Sequence, residues 1–395
     1  MTTATILFWT ALVLVFYTYL GYGMLLRVLV GLKRMLGGQR RDTAAPVRKD
    51  LPQLTLMICA YNEEDVVDEK MRNTLQLDYP KDRLTVMWVT DGSTDSTNER
   101  LAKYDGVKVV YSPERAGKAA AIAHGISENS APFVVFTDAN TMLNSEALQI
   151  IARTFADPTV GCVSGEKRVA GRVGQEQVAS QGEGLYWRYE SLLKRWDSEL
   201  YSAMGAAGEL FAVRMSCYEA PPSNALLDDF MMSMLILKKG YRIAYTPDAY
   251  ATEYGSADMI EESKRKRRIA AGGLQSSWWL RAMMNPFRYP KVALQFVSHR
   301  VLRWTITPIA LVALPIINAW MVMHGSSAFY WVTLALMVLF AAAALAGYVL
   351  SLRGTKNRWL YVPYYFLFMN LNVFIGAHYF ITHRKRGTWE KARRG

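Results

Sequence analysis

An α/β domain on a mostly parallel sheet, held between membrane-crossing helices, is what this 395-residue chain predicts. Three observations point there. Short aliphatic or β-branched runs at Leu54 to Cys59, Leu84 to Thr90, Val107 to Tyr111 and Phe133 to Thr137 alternate with helix-like runs near Glu63 to Leu77, Ser96 to Lys103, Lys118 to Glu128 and Ser145 to Phe155, the pattern of βαβ units. The chain is 51% hydrophobic, and the excess sits at its two ends. Finally, the first two runs each close on a polar cluster, Ala60-Tyr61-Asn62-Glu63 and Asp91-Gly92-Ser93-Thr94-Asp95. Both clusters fall at the carboxyl edge of neighbouring strands, where open α/β sheets bind nucleotides.

Taken in order, Ala4 to Leu26 contains no charged residue and is long enough to span a bilayer. A cleaved signal peptide would need a basic start and a small-residue cleavage site, and neither is present. Arg27, Lys33, Arg34, Arg40, Arg41, Arg48 and Lys49 follow with only Asp42 among them, which by the positive-inside rule puts the next domain in the cytoplasm. The chain therefore divides into a membrane helix (1–32), a basic linker broken by Pro46 and Pro52 (33–53) and an α/β domain (54–273). Past Thr159 the pattern predicts a strand over Val160 to Val169 and a long polar, aromatic helix over Gly174 to Trp196, of the kind that covers a cleft. A strand at Leu210 to Val213, a helix over Asp229 to Lys239 stopped by Gly240, and a strand over Tyr241 to Tyr245 complete the domain.

In 274–300, Trp278, Trp279, Phe287 and Tyr289 are interleaved with Arg281, Arg288 and Lys291, the composition of an interfacial helix. Within 301–383 the apolar stretches Trp304 to Met323 and Ala328 to Leu352 read as spans. The third, Tyr361 to Thr382, carries Pro363, Asn370, Asn372 and His378 and reads either as a span or as a re-entrant, tightly packed segment. If it crosses, the basic tail 384–395 falls outside, against the charge rule.

The formal charge of +12 is no sign of nucleic acid, because much of the basic excess flanks the apolar segments and suits anionic lipid head groups. Cys59, Cys162 and Cys217 have neither paired spacing nor a zinc pattern, which fits a reducing compartment.

Several polar clusters carry possible chemistry, each beside a blander explanation. Asn62 and the acids after it could cap a helix, as could Ser93 to Asp95. Asp138 and Asn140, two apart after the fourth strand, can point to one side and hold a divalent cation against a diphosphate, or can form an ordinary turn. Between Asp95 and Asp138 in the chain, Arg115-Ala116-Gly117-Lys118 opens a helix and could neutralise phosphate.

The order of these motifs resembles the catalytic domain of membrane-embedded family 2 glycosyltransferases, which include hyaluronan, cellulose, chitin and poly-N-acetylglucosamine synthases. The likeness runs over roughly Leu54 to Gly273. It implies a glycosyltransferase A-type, Rossmann-like α/β fold. It further implies a nucleotide-sugar donor, UDP-linked, held by Ala60, Tyr61, Glu63, Asp91, Lys118 and Asp138, and a Mg2+ or Mn2+ ion held by Asp138 and position 140. The family's Asp-x-Asp has become Asp138-Ala139-Asn140, so one ligand charge is missing. Gly205 to Arg214 resembles the acceptor segment, implying acceptor contacts at Gly205, Gly208 and Glu209. Leu227-Asp228-Asp229 stands in the place of Thr-Glu-Asp, implying Asp229 as general base with Asp228 as the competing assignment. The terminal Gln-x-x-Arg-Trp is eroded to Arg265, Arg268 and Ile269. The two arginines, three apart on one helical face, can reach the diphosphate or anchor at lipid, and Ile269 cannot stack on a sugar. Glu253 is a further possible metal- or phosphate-site contact.

The resemblance makes the chain a multi-pass inner-membrane enzyme with a cytoplasmic catalytic domain. It would transfer a sugar with inversion to a lipid-linked or polysaccharide acceptor, with membrane lipids as its other partners. A processive synthase coupled to export and a catalytically degenerate membrane scaffold are the alternatives. A sugar-nucleotide pyrophosphorylase would need a glycine-rich loop where Ala60 to Glu63 stands.

Overall fold

A computed structural model describes residues 2–37, 51–170, 178–254, 259–325, 327–353, 355 and 357–382. Most of the linker expectation (38–50) and the basic tail (384–395) lie outside the described residues.

Eight strands form one sheet: β1 (Leu54–Ala60), β2 (Leu84–Asp91), β3 (Val107–Ser112), β4 (Phe133–Asp138), β5 (Met142–Leu143), β6 (Val160–Ala170), β7 (Leu210–Arg214) and β8 (Arg242–Tyr254). Their spatial order is β3-β2-β1-β4-β7-β6-β8-β5. β1 is central and parallel to both β2 and β4, with Leu54 level with Leu84 on one side and Phe133 on the other. It is apolar along almost its whole length because helices cover both of its faces. Two hydrophobic clusters result, one on each face, and Trp88 is fully buried in the second.

The sheet is mixed where a mostly parallel one was expected. After the helix Val178–Leu200 the chain re-enters as β7, antiparallel to both β4 and β6. The two-residue β5 pairs antiparallel with β8 and is too short to leave a periodic signal. β8 extends well beyond Tyr245, with Pro247 falling where the register with β6 shifts between Gly165 and Glu166, a bulge that needs no ladder hydrogen bond from the proline. The helix Asp228–Lys238 is buried continuously from Phe230 to Leu237, so it runs through the core.

Four helices are long and apolar enough to cross a membrane: Thr2–Met35, Ile306–Met323, Ala328–Leu352 and Trp359–Thr382. They expose large side chains such as Leu20, Ile316, Leu339 and Leu371, and mark this as a membrane protein. The last is a continuous helix through Pro363. Its asparagines serve packing. Asn372 accepts from Ser263 at 2.7 Å, and Asn370 accepts from the Tyr19 hydroxyl of the first helix. Between the sheet and these spans, the helix Met259–Trp279 runs through position 273, so the α/β unit and the segment after it share one element. In that segment Trp278 and Phe287 are exposed while Phe296 is buried.

Candidate functional site

The carboxyl ends of β1, β2 and β4 open onto a cavity of about 490 Å3, within the usual range for small-molecule sites. Ala60, Tyr61, Glu63, Asp91, Lys118, Asp138, Asn140, Gly208, Glu209, Asp228, Asp229, Arg265 and Arg268 all line it. Residues separated by more than 200 positions thus meet at one place.

The first two strand-end clusters are laced into a single wall. Asn62 is not the helix cap: it adopts φ 50°, its Oδ1 accepts from the Thr94 amide at 2.9 Å, and its own amide donates to Ser93 Oγ at 3.1 Å. Capping is done across the loops instead. Asp95 accepts from the Glu64 amide at 3.1 Å and from the Thr97 amide at 3.1 Å, while Glu64 accepts from the Ser96 amide at 3.0 Å. Each loop caps the other's helix, so they are positioned together. Asp91 is buried, and its carboxylate accepts from the Ala116 and Gly117 amides at 2.9 and 2.7 Å, which fixes the 115–118 loop over the strand end. The Arg115 guanidinium lies 3.9 Å over the Tyr61 ring.

From that loop Lys118 reaches Asp138 at 2.6 Å. Burial opposes its charge, but Asp138 and Asp228 outweigh burial and hold the ammonium above its ordinary range. Asp229 moves the other way. Burial, reinforced by the charge of Asp228, pushes its carboxyl up to about 7 against the pull of Lys118. Its Oδ1 accepts from the Phe230 amide at 2.8 Å, and Oδ2 makes no hydrogen bond among the described residues. A Cβ at Gly208 would lie 2.9 Å from that Oδ2 and 3.5 Å from Lys118 Nζ, so the glycine keeps the space beside the carboxylate open. Behind β4 the fully buried Lys70 donates to Thr141 O at 2.5 Å and Thr137 Oγ1 at 3.2 Å, bracing the loop that carries Asp138. Burial brings its pKa down to about 7.

Not every expected residue is directed into the cavity. Gly205 does not line it: its φ is +95° and a Cβ there would enter the Phe230 ring, so the glycine serves packing against the helix that carries Asp229. Gly205→Ala is therefore expected to destabilise the fold by about 2–4 kcal/mol, a backbone and an overpacking cost together. An unchanged thermal midpoint would refute this. Glu209 lies at the wall but is held by Lys167 at 2.7 Å and Arg265 at 3.2 Å. Arg265 also lies 3.9 Å from Glu253 and from Glu262, and Lys167 pairs with Glu253. Arg265 and Glu253 are thus tied into a buried ionic cluster, while the exposed Arg268 makes no hydrogen bond or ion pair among the described residues and faces the cavity.

Other lining residues were not singled out from sequence. Trp187, Glu190 and Lys194 share one face of the 178–200 helix, at the i, i+3, i+7 spacing that its polar, aromatic composition could have flagged. His299 and Arg300 come from the end of the interfacial segment, Arg303 and Trp304 from the turn of helix that follows it, and Tyr19 and Asn370 from the spanning helices. Trp304 packs edge-on to Phe230 at 5.4 Å and brings an indole to the cavity that Ile269 also lines.

The donor set fits a hard divalent cation in part. Asp138 and Asn140 offer oxygen ligands, and Asp228 Oδ2 is buried without a hydrogen-bond partner on the same wall. No group of three or more Asp, Glu, His or Cys side chains is arranged to hold a metal among the described residues. The protein therefore supplies part of a coordination sphere, the mode in which Mg2+ is held by one or two carboxylates and substrate phosphates.

A family model described as "Glycosyltransferase like family 2" matches residues 52–272. "Probable glycosyltransferase YdaM" from Bacillus subtilis is 29% identical over 224 residues, 52% of this chain and 51% of that protein. Poly-beta-1,6-N-acetyl-D-glucosamine synthase from Staphylococcus aureus (strain MSSA476) is 26% identical over 235 residues, 57% of this chain and 55% of its own length. The chain spans about half the length of these relatives. Among solved structures, the mannosyltransferase PcManGT from Pyrobaculum calidifontis, in complex with GDP-Man and Mn2+, superposes with a TM-score of 0.67 at 23% identity, covering 96% of this chain and all of that one. That likeness speaks for the fold, a glycosyltransferase A-type α/β domain joined to apolar helices.

Proposed function

The chain belongs to the glycosyltransferase-like family 2, and on that premise we propose that it moves a sugar, with inversion, from a nucleotide-diphosphate donor to a hydroxyl of a lipid-linked or glycan acceptor at the membrane. One observation carries the proposal: Lys118, Asp138 and Asp229, delivered by three separate elements, meet at one cavity beside an open Gly208. The two laced loops and the 115–118 turn form the donor wall, with UDP as its nucleotide. Asp229 is the general base. With Oδ1 occupied by an amide, Oδ2 takes the proton of the acceptor hydroxyl as that oxygen attacks the anomeric carbon from the face opposite the leaving diphosphate. Lys118 and Arg268 offset charge on the leaving group. A bound Mg2+ or Mn2+ would neutralise the diphosphate, held by Asp138 and Asn140. The catalytic domain spans 54–273 and faces the cytoplasm of an inner membrane, as the basic residues after the first helix favour.

The test is nucleotide release by the purified full chain in nanodiscs, supplied with UDP- and GDP-linked sugars, Mg2+ or Mn2+ and a membrane-lipid extract. Release with at least one donor is expected. No release from any donor would support the scaffold reading. In the same assay, Asn140→Asp is expected to lower the half-saturating cation concentration about tenfold, the effect of ~1.4 kcal/mol from a charged ligand replacing a neutral one. An unchanged cation requirement would take position 140 out of the metal site.

A further inference from the structure

The loop that carries Asp138 and Asn140 is gripped from behind by side chains that no step of the transfer uses. Lys70 stands on the helix Glu64–Leu75 and is fully buried. Its nitrogen makes no ion pair among the described residues; it donates to Thr141 O at 2.5 Å and to Thr137 Oγ1 at 3.2 Å, one on each side of the loop. One turn further along the same helix, Asn73 donates to Leu143 O at 2.8 Å and accepts from the Leu143 amide at 2.9 Å. The helix thus holds the chain at 137 and again at 141–143, and between these anchors Asp138 and Asn140 line the cavity.

The grip reaches the neighbouring segment as well. Thr137 Oγ1 donates to Glu209 O at 3.0 Å and lies 2.9 Å from Thr141 Oγ1, which donates to Asp138 O at 2.9 Å. A hydroxyl has one proton, and with a Lys70 N–H directed at its oxygen the proton of Thr137 is left for Glu209 O. Glu209 follows Gly208, the glycine that keeps the space beside Asp229 open. One buried nitrogen therefore ties the Asp138 loop to the segment beside Asp229. A methionine would fill similar volume without the cost of burying an amine, but it offers no donor to Thr141 O or Thr137.

We infer that Lys70 is a positioning residue for the divalent cation: through Thr137 and Thr141 it holds Asp138 and Asn140 in place, so that a ligand pair with one charge between them binds the ion against the donor diphosphate. This rests on the glycosyl-transfer reading, with Asp138 and Asn140 as the cation contacts. Two effects of the side chain oppose each other. Positive charge behind Asp138 repels a cation, whereas fixing the ligands in advance favours it. Loss of a group that orients a metal ligand costs about 10–100-fold in metal affinity, so positioning sets the expected sign.

The experiment measures UDP binding to the full chain in phosphatidylcholine nanodiscs, first without divalent cation and then with Mn2+ titrated in. Mn2+ is expected to tighten UDP binding to the native chain. Lys70→Met and Thr137→Val should each raise the half-saturating Mn2+ concentration about 10–100-fold while cation-free UDP affinity stays native, which is the control for folding. Thr137→Ser keeps the hydroxyl and should behave as the native chain. A native Mn2+ requirement in Lys70→Met, with only its melting temperature lowered, overturns the inference. So does a lower requirement, which would show that charge outweighs position. Should Lys70→Met fail to fold, cation-free UDP binding is lost, and the contrast between Thr137→Val and Thr137→Ser decides: equal Mn2+ requirements in the two overturn the inference. Failure of the underlying reading appears separately, in the native chain. UDP binding that Mn2+ does not tighten removes the cation site and this inference with it, and absent UDP binding removes the donor wall.

Discussion

Asp229→Asn is expected to reduce turnover about 10²–10⁴-fold, the usual worth of a positioned general base, while UDP binds as in the native chain. The amide keeps the shape and the acceptor for the Phe230 amide, so the helix start at 228 survives; what it loses is the ability to take a proton at Oδ2. The native enzyme should show an ascending pH limb near 7, because burial and Asp228 push the carboxyl of Asp229 up to about 7 and only the ionised form acts as base. That limb disappears in the variant. Stability moves the opposite way. The folded pKa lies above the ordinary Asp value of about 3.9, so the native state favours the protonated form, and this contribution is lost as pH rises through 7. At pH 8 Asp229→Asn removes a destabilising charge next to Asp228 and should raise the thermal midpoint; below about pH 4 the two proteins should melt alike. Native turnover in the variant would assign the base elsewhere, with Asp228 next to be tested.

Asp91→Ala should weaken UDP binding about 10–100-fold and lower the melting temperature. The carboxylate receives the Ala116 and Gly117 amides, and hydrogen bonds to a charged group are worth about 1.5–3 kcal/mol each. Without them two loop amides lose their acceptor, and the turn that aims Lys118 at Asp138 loses its anchor. Part of the cost falls on the fold and part on the nucleotide site, which is why both are measured. The resemblance implies that Asp91 contacts the nucleotide; its carboxylate accepts from the Ala116 and Gly117 amides, which favours positioning of the loop as its expected role. Hydrogen exchange at 116–118 separates the two roles. Faster exchange accompanies weaker binding if Asp91 positions the loop, and unchanged exchange with weaker binding would return it to direct contact.

Much of the proposed donor wall was legible because its signals are local. A strand that is buried on both faces must be apolar throughout, so β1 and β2 stand out as runs, and the polar residues that end them can only lie at the sheet's edge. Asp138 was readable for the same reason, as the end of β4, and Lys118 from the Arg-Ala-Gly-Lys start of a helix. Local reasoning failed where one loop does another's work: Asn62 reads as the cap of its own helix, yet Asp95 supplies that cap from 31 residues away. Gly205 reads as an acceptor contact and proves to be where the backbone passes Phe230.

By itself, the order of residues determined which chemistry can occur: the strand-end acids, the lysine and glycine between them, and the apolar lengths that need a bilayer are properties of contiguous segments. Only the tertiary structure decided who their partners are. Burial raises the pKa of Asp229, Glu209 and Glu253 draw Arg265 into an ionic cluster, and helix packing buries Lys194 on a cavity wall with no hydrogen bond or ion pair among the described residues. The physical reason is that desolvation and Coulomb terms depend on distances across the fold, which no local pattern encodes.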